Sequence, residues 1–129
     1  MPANTNLQSY HKLIVYQKSL DLLLLTYRLT KKLPKEEFYI LFPQIRRAAV
    51  SVVANIVEGY SKSSTKEFIR YLDISRGSLT EVELYFEVCL KLNYFSDQDH
   101  QPALSLLTEV KKLIYSFQKT LRKGIEDRV

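Results

Sequence analysis

From Phe68 to Cys89, apolar or small residues recur at steps of 4, 3, 4, 3, 4 and 3: Phe68, Leu72, Ser75, Leu79, Val82, Phe86 and Cys89. A repeat of 3.5 residues keeps one stripe of an α-helix turned to the same side along its whole length. Only another helix lying alongside at a shallow angle hides such a stripe efficiently. The spacing predicts a helix over residues 65–93, about 42 Å long at 1.5 Å per residue. Ser64 stands three residues before Glu67, the pattern of a capping box. Gly77 in the middle costs up to about 1 kcal/mol in helix propensity. A residue that small suggests that another backbone comes close.

The rest of the chain reads the same way. Ala103, Leu107, Val110, Ile114, Phe117 and Leu121 step 4, 3, 4, 3, 4 and predict a helix over 99–125. Asp99 as N-cap would place Pro102 in the first turn, where its missing N–H is harmless, whereas Ser96 as N-cap would set it too deep. A first helix is expected over 10–32, with two apolar stripes. Leu13, Tyr16, Leu20, Leu24 and Tyr27 form one; Val15, Leu22, Leu25 and Leu29 form the other. A second helix is expected over 43–58, opened by Pro43 and stopped by Gly59. Ile45, Ala49, Val52, Val53 and Ile56 make its core side, while Arg47, Ser51, Asn55 and Glu58 line up opposite within about 80°.

These elements predict an all-α, antiparallel up-and-down four-helix bundle, with residues 10–127 as one domain and 1–9 as a flexible N-terminal tail. A chain of 129 residues is the size of one domain. The double apolar stripes on helices one and two exceed what one bundle buries, so a homo-oligomeric barrel is expected. Three Gly and four Pro are too few for a sandwich of many short strands. A single Cys cannot form an internal disulfide, which fits a reducing, cytoplasmic setting. No run of 18 apolar residues would span a membrane. The opening Met-Pro-Ala-Asn-Thr-Asn lacks the charged and apolar regions of a secretory signal.

Charge directs attention to acidic partners. The net charge is +5 and the pI about 9.3. Residues 1–80 carry 12 Lys/Arg against 6 Asp/Glu, residues 81–100 carry 1 against 5, and residues 101–129 carry 6 against 3. The acidic block can pair with a basic surface of its own chain or of a neighbouring subunit. Lys62, Lys66 and Arg70 trail along the start of helix three; Lys111, Lys112, Lys119, Arg122 and Lys123 decorate helix four. Such residues can neutralise phosphates, although a solvated helical face has the same composition. Arg46 and Arg47 open an otherwise apolar helix. The stripe of Arg47, Ser51, Asn55 and Glu58 reads either as a buried intersubunit network, with Arg47 paired to Glu58 or another carboxylate, or as the lining of an interior groove or pore that meets phosphate or an acidic peptide.

Enzyme chemistry finds little support. No Glu-x-x-His pair of the kind that builds di-metal bundles occurs. His11 and His100 read as surface residues, Cys89 as a small core hydrophobe, and Glu81, Glu83 and Glu87 as a solvated or intersubunit face. No catalytic residue, metal or cofactor is expected.

Several ordered motifs carry a resemblance. Gln44-Ile-Arg-Arg-Ala-Ala-Val-Ser51 leads to Asn55-Ile56 and Glu58-Gly59, then Ser64-Thr-Lys-Glu-Phe-Ile-Arg-Tyr-Leu72 and Gly77-Ser-Leu-Thr-Glu-Val-Glu83. With Leu13–Ser19 and Leu92–Phe95, they resemble the bacterial 23S rRNA intervening-sequence proteins, a ribosomal-protein-like family, over about residues 10–120. The resemblance implies a four-helix up-and-down bundle and, from related barrels, a pentamer. A similar bundle, the accessory variability protein of diversity-generating retroelements, binds nucleic acid and a reverse transcriptase. The family usually has Pro where Val53 stands and Ala where Val57 stands; without that Pro, helix two should run straighter. The expected function is non-enzymatic binding of structured RNA or DNA through phosphates, with low sequence specificity. Arg46, Arg47, Lys66 and Arg70 are the first candidate contacts, followed by Lys112, Lys119 and Lys123. The alternative is a scaffold that docks a nucleic-acid enzyme such as a reverse transcriptase.

Overall fold

A computed structural model describes residues 10–127; the expected tail over 1–9 lies outside them. Four long α-helices follow one another: α1 (Ile14–Thr30), α2 (Leu41–Tyr60), α3 (Thr65–Lys91) and α4 (Asp97–Asp127), with a 3-10 turn at Lys35–Glu37. No strand occurs among the described residues. Each helix touches two others: α1 packs on α2 and α4, and α3 packs on α2 and α4. All four contribute to one continuous core.

The α3 seam is buried as its spacing requires, Phe68, Leu72, Ser75, Leu79, Val82, Phe86 and Cys89 alike. Ser75 is tolerated there because its hydroxyl donates to the Val52 carbonyl of α2 at 2.7 Å. On α1 the buried seam is Val15, Ser19, Leu22, Thr26 and Leu29, with Thr30 beside it. Its hydroxyls are satisfied within the helix: Thr26 donates to Leu22 O at 2.7 Å and Thr30 to Thr26 O at 2.9 Å. The other expected stripe of α1 divides: Leu13 and Tyr16 pack partly buried against the core and Leu20 is half-buried, while Leu24 and Tyr27 are 48% and 38% exposed in the single chain.

Helix ends differ from the sequence expectation where side chains decide them. Helix α1 starts at Ile14, not Tyr10, because Leu13 is extended (φ −72°, ψ 125°) and the Gln17 amide donates to the His11 carbonyl at 2.9 Å. The Ser64 hydroxyl accepts from the Glu67 N–H at 3.3 Å and opens α3. Asn93 closes it in the left-handed region (φ 64°). There the Tyr94 N–H reaches Cys89 O at 2.8 Å and the Asn93 N–H reaches Leu90 O at 3.0 Å, a Schellman closure. Helix α4 starts at Asp97, so the expectation that Asp99 is the N-cap fails. Ser96 and Asp99 bond each other's backbone N–H instead, at 3.1 and 3.3 Å. Lys32 pairs with Asp99 at 2.8 Å and, with that cap, holds the carboxyl below its ordinary range. Pro102 then falls inside the helix, on its exposed side. His100, read as a surface residue, is buried against the fold.

Both glycine expectations are reversed. Helix α2 begins at Leu41 and runs unbroken through Val53 and Gly59 to Tyr60, so Gly59 does not stop it. At Gly59 α2 and α3 come close together: a Cβ there would lie 2.7 Å from Tyr71 Cβ and 2.8 Å from Phe68 Cδ1. A Cβ on Gly77 would meet nothing within 4 Å, so no backbone crosses there.

Candidate nucleic-acid interface

The expected contact residues divide between two regions. Arg46 and Arg47 lie on α2 and point to different neighbours. The Arg46 guanidinium sits 4.2 Å over the Tyr27 ring and 3.9 Å over the Phe42 ring. It donates from Nε to Thr30 Oγ1 at 3.0 Å and from Nη2 to Tyr27 O at 3.2 Å. A cation at the carbonyl end of α1, sandwiched by two rings, clamps α2 to α1. Arg47 is exposed; its Nη1 donates to Gln44 Oε1 at 3.0 Å, and its charge also reaches the Tyr85 phenol of α3.

The α2 polar stripe turns towards α3. Ser51 and Ser78 share a hydrogen bond at 2.7 Å, and the Asn55 amide donates back to Ser51 O and Oγ at 2.8 and 3.0 Å. Within the single chain Glu58 pairs with Lys62 at 3.3 Å, and not with Arg47. That carboxylate, with the Tyr71 hydroxyl nearby, raises the Lys62 ammonium above its ordinary value. Below Arg47, burial and a hydrogen bond to Glu81 raise the Tyr85 phenol.

The second region is the outer face shared by α3 and α4. Lys66 and Arg70 sit near the start of α3; Lys112, Lys119 and Lys123 form a stripe within about 40° on α4 at 100° per residue. All five are exposed. Arg70 makes a loose pair with Glu67 at 3.7 Å, while Lys66, Lys112, Lys119 and Lys123 pair with no described residue. Between the helices lies a groove of about 400 Å³, lined by Asp73, Arg76, Gly77, Thr80 and Lys111. Arg76 and Arg122 both approach Asp73 Oδ1, at 3.6 and 4.0 Å, and Lys111 pairs with Glu83 at 2.8 Å.

Beneath the groove, Gln118 is 0% exposed. Its amide donates to Ile69 O at 3.1 Å and to Asp73 Oδ1 at 2.7 Å, and its carbonyl accepts from Arg76 Nη1 at 3.2 Å. Sequence reasoning counted Lys111 and Arg122 among the phosphate-neutralising cations of helix four without ranking them as contacts, and did not single out Arg76. The signal it could have used is the i, i+3 pair of Asp73 and Arg76 on the polar side of the seam.

The groove and its rim hold three cations, Arg76, Lys111 and Arg122, against two carboxylates, Asp73 and Glu83. No cluster of His, Cys, Asp and Glu that could hold a metal occurs among the described residues. Cys89 is fully buried, and desolvation, with the Glu37 carboxylate nearby, pushes its thiol up to about 12. No described helix is long and apolar enough to cross a membrane.

Four helices around one core, with their polar chemistry on the outer faces, define an all-helical class whose surface carries the candidate site. Within that class the chain belongs to the 23S rRNA-intervening sequence protein family, whose model matches residues 11–116. A solved structure of a protein of unknown function from the S23 ribosomal protein family of Bacteroides thetaiotaomicron VPI-5482 is similar: 28% identity and a TM-score of 0.76, over 82% of this chain and 99% of that one. No curated protein matches the chain significantly.

Proposed function

We propose that this protein is a non-enzymatic, cytoplasmic binder of structured RNA or DNA, built as an antiparallel up-and-down bundle that self-assembles. The order of cross-helix contacts supports the antiparallel reading: Lys111 meets Glu83, whereas Gln118, later in α4, meets Asp73, earlier in α3. The unburied stripe of Leu24 and Tyr27 on α1, with Val50 exposed on the adjoining α2, supports a homo-oligomer. Related barrels make five subunits the first number to test.

The observation that carries the function is the α3–α4 face. Arg76 and Lys111 line the groove between the two helices and Arg122 reaches its Asp73, while Lys66 and Arg70 stand near the start of α3 and Lys112, Lys119 and Lys123 are exposed along α4; Lys66 and the three outer lysines of α4 have no carboxylate partner among the described residues. Unpaired cations of this kind neutralise backbone phosphates without reading bases, so little sequence specificity follows. Arg47 is a further contact from α2; Arg46, committed to α1, is a clamp. Replacing Lys112, Lys119 and Lys123 with Gln is expected to weaken RNA binding at least tenfold. It should also flatten the plot of log affinity against log salt by about two to three units. Unchanged affinity and slope would refute the assignment.

One observation favours a second reading, a scaffold for a nucleic-acid enzyme. Phe38, Tyr39 and Ile40, between α1 and α2, are consecutive and exposed, Tyr39 to 92%. A protein partner would cover them, and loss of a co-purifying partner on Tyr39→Ser would support that role.

A further inference from the structure

Gly77 has no structural reason to be glycine. Its φ is not positive, no Cβ at that position would meet an atom within 4 Å, and it lies on the exposed side of α3. In mid-helix it lowers stability relative to Ala without any return in packing. It does, however, line the α3–α4 groove, where it leaves backbone bare between Arg76 and Thr80.

Gln118 poses the matching question from below. A fully buried amide occupies the apolar seam of α4, where a leucine would cost less to desolvate. Ile69 O and Asp73 Oδ1 take both donors of its Nε2, which fixes the direction of its carbonyl, and that carbonyl holds Arg76 Nη1. The Tyr115 ring, 5.6 Å from the guanidinium carbon, supports Arg76 from α4. Arg76 therefore has one nitrogen anchored, while its Nε and Nη2 donors remain uncommitted among the described residues. Across the groove, the Lys111 ammonium gives one proton to Glu83 and keeps two. The Thr80 hydroxyl donates to Arg76 O at 3.1 Å, so it forms wall rather than donor. The carboxylate in the groove, Asp73, is already engaged by Gln118, Arg76 and Arg122.

We infer that this groove seats one backbone phosphate of the bound nucleic acid, with Arg76 and Lys111 as its two cations and Gly77 as the opening that admits it. The inference rests on the proposed nucleic-acid function and assigns that function a defined subsite. Gln118 is a positioning residue: it aims Arg76 and does not touch the phosphate.

The test uses the full-length protein, a labelled RNA hairpin and a DNA duplex, across a salt series, with oligomer mass measured in parallel. Gly77→Ala is expected to melt about 3 °C higher, because the space is open and Ala favours the helix, and to weaken binding less than Gly77→Gln, because its methyl fills less of the groove. Gly77→Gln changes no charge and also meets open space, so it should fold, yet weaken binding about tenfold by filling the groove. Arg76→Gln should lower the salt slope on duplex DNA by about 0.9, the value of one phosphate contact. If the parent shows salt-dependent binding and Gly77→Gln binds equally well, the subsite is wrong while the function stands. If Gly77→Gln alters oligomer mass and not affinity, the groove is a contact between copies and the subsite is again wrong. If the parent itself does not bind at low salt, the functional reading fails and the subsite falls with it.

Discussion

Two glycines on adjoining helices should respond to the same substitution with opposite signs. Gly59→Ala adds a Cβ 2.7 Å from Tyr71 Cβ and 2.8 Å from Phe68 Cδ1, closer than packed carbons approach. Neither neighbour can step aside cheaply. Tyr71 Cβ is fixed to its own backbone, and the Phe68 ring is held edge-on between Tyr60 and Phe117 at centroid distances of 5.7 and 5.4 Å. Relief requires α2 and α3 to separate near their shared turn. Helix propensity favours the alanine by about 1 kcal/mol. Overpacking of this kind costs about 1–3 kcal/mol, and this contact falls towards the upper end because a backbone-anchored atom is involved. The net loss is about 1–2 kcal/mol, or about 4–8 °C in Tm for a domain of this size. Gly77→Ala keeps the propensity gain with no steric term and should melt higher. Thermal and urea unfolding followed by circular dichroism at constant protein concentration decides it. A Gly59→Ala protein as stable as the parent, or both variants shifting the same way, would refute the close-approach account.

Other outcomes follow from single side chains. Arg46→Ala removes two ring contacts and two hydrogen bonds at the end of α1, which should cost about 2 kcal/mol in urea unfolding and leave nucleic-acid affinity unchanged; weaker binding at unchanged stability would reverse that role. Cys89 should resist thiol reagents in the native protein, since its pKa is pushed up to about 12 by burial. Its protonated folded form also means that stability holds below pH about 9 and declines as pH rises towards 12, because only the unfolded thiol ionises in that window. Cys89→Ala should shallow that decline, and an unchanged alkaline profile would count against it.

The family motifs and the four helical repeats were legible because burial follows helical period wherever the core is apolar. The α3 seam needed nothing else, and a 28% identical structure over 82% of the chain agrees with that reading. On α4 the repeat held from Ala103 to Ile114 and then shifted: Gln118 is buried while Phe117 is only partly so. A straight helix drifts about 20° per heptad relative to a 3.5 repeat, and the buried amide found partners on α3 that no single-helix pattern reveals. On α1 the same blindness hid Ser19 and Thr26, whose hydroxyls are paid off within the helix. The two glycines were misread because a stop, a close approach and an open groove all favour the same residue. Arg46 and Arg47 are adjacent in sequence, which suggested a shared task. On a helix, adjacent residues point about 100° apart, and one became a clamp while the other stayed exposed on the surface. The groove of Arg76, Lys111 and Arg122 joins two helices far apart in sequence, so charge counting alone could place its members but not assemble them.

The most direct measurement is the affinity of the intact protein for a structured RNA and a DNA duplex at about 50 and 200 mM salt, with oligomer mass recorded in the same buffers. Six or more phosphate contacts predict a loss of about 10³-fold or more across that range. The decline should be similar for both probes, because phosphates and not bases are bound. A well-folded oligomer that binds neither probe at 50 mM salt, or binds with no dependence on salt, would contradict the account.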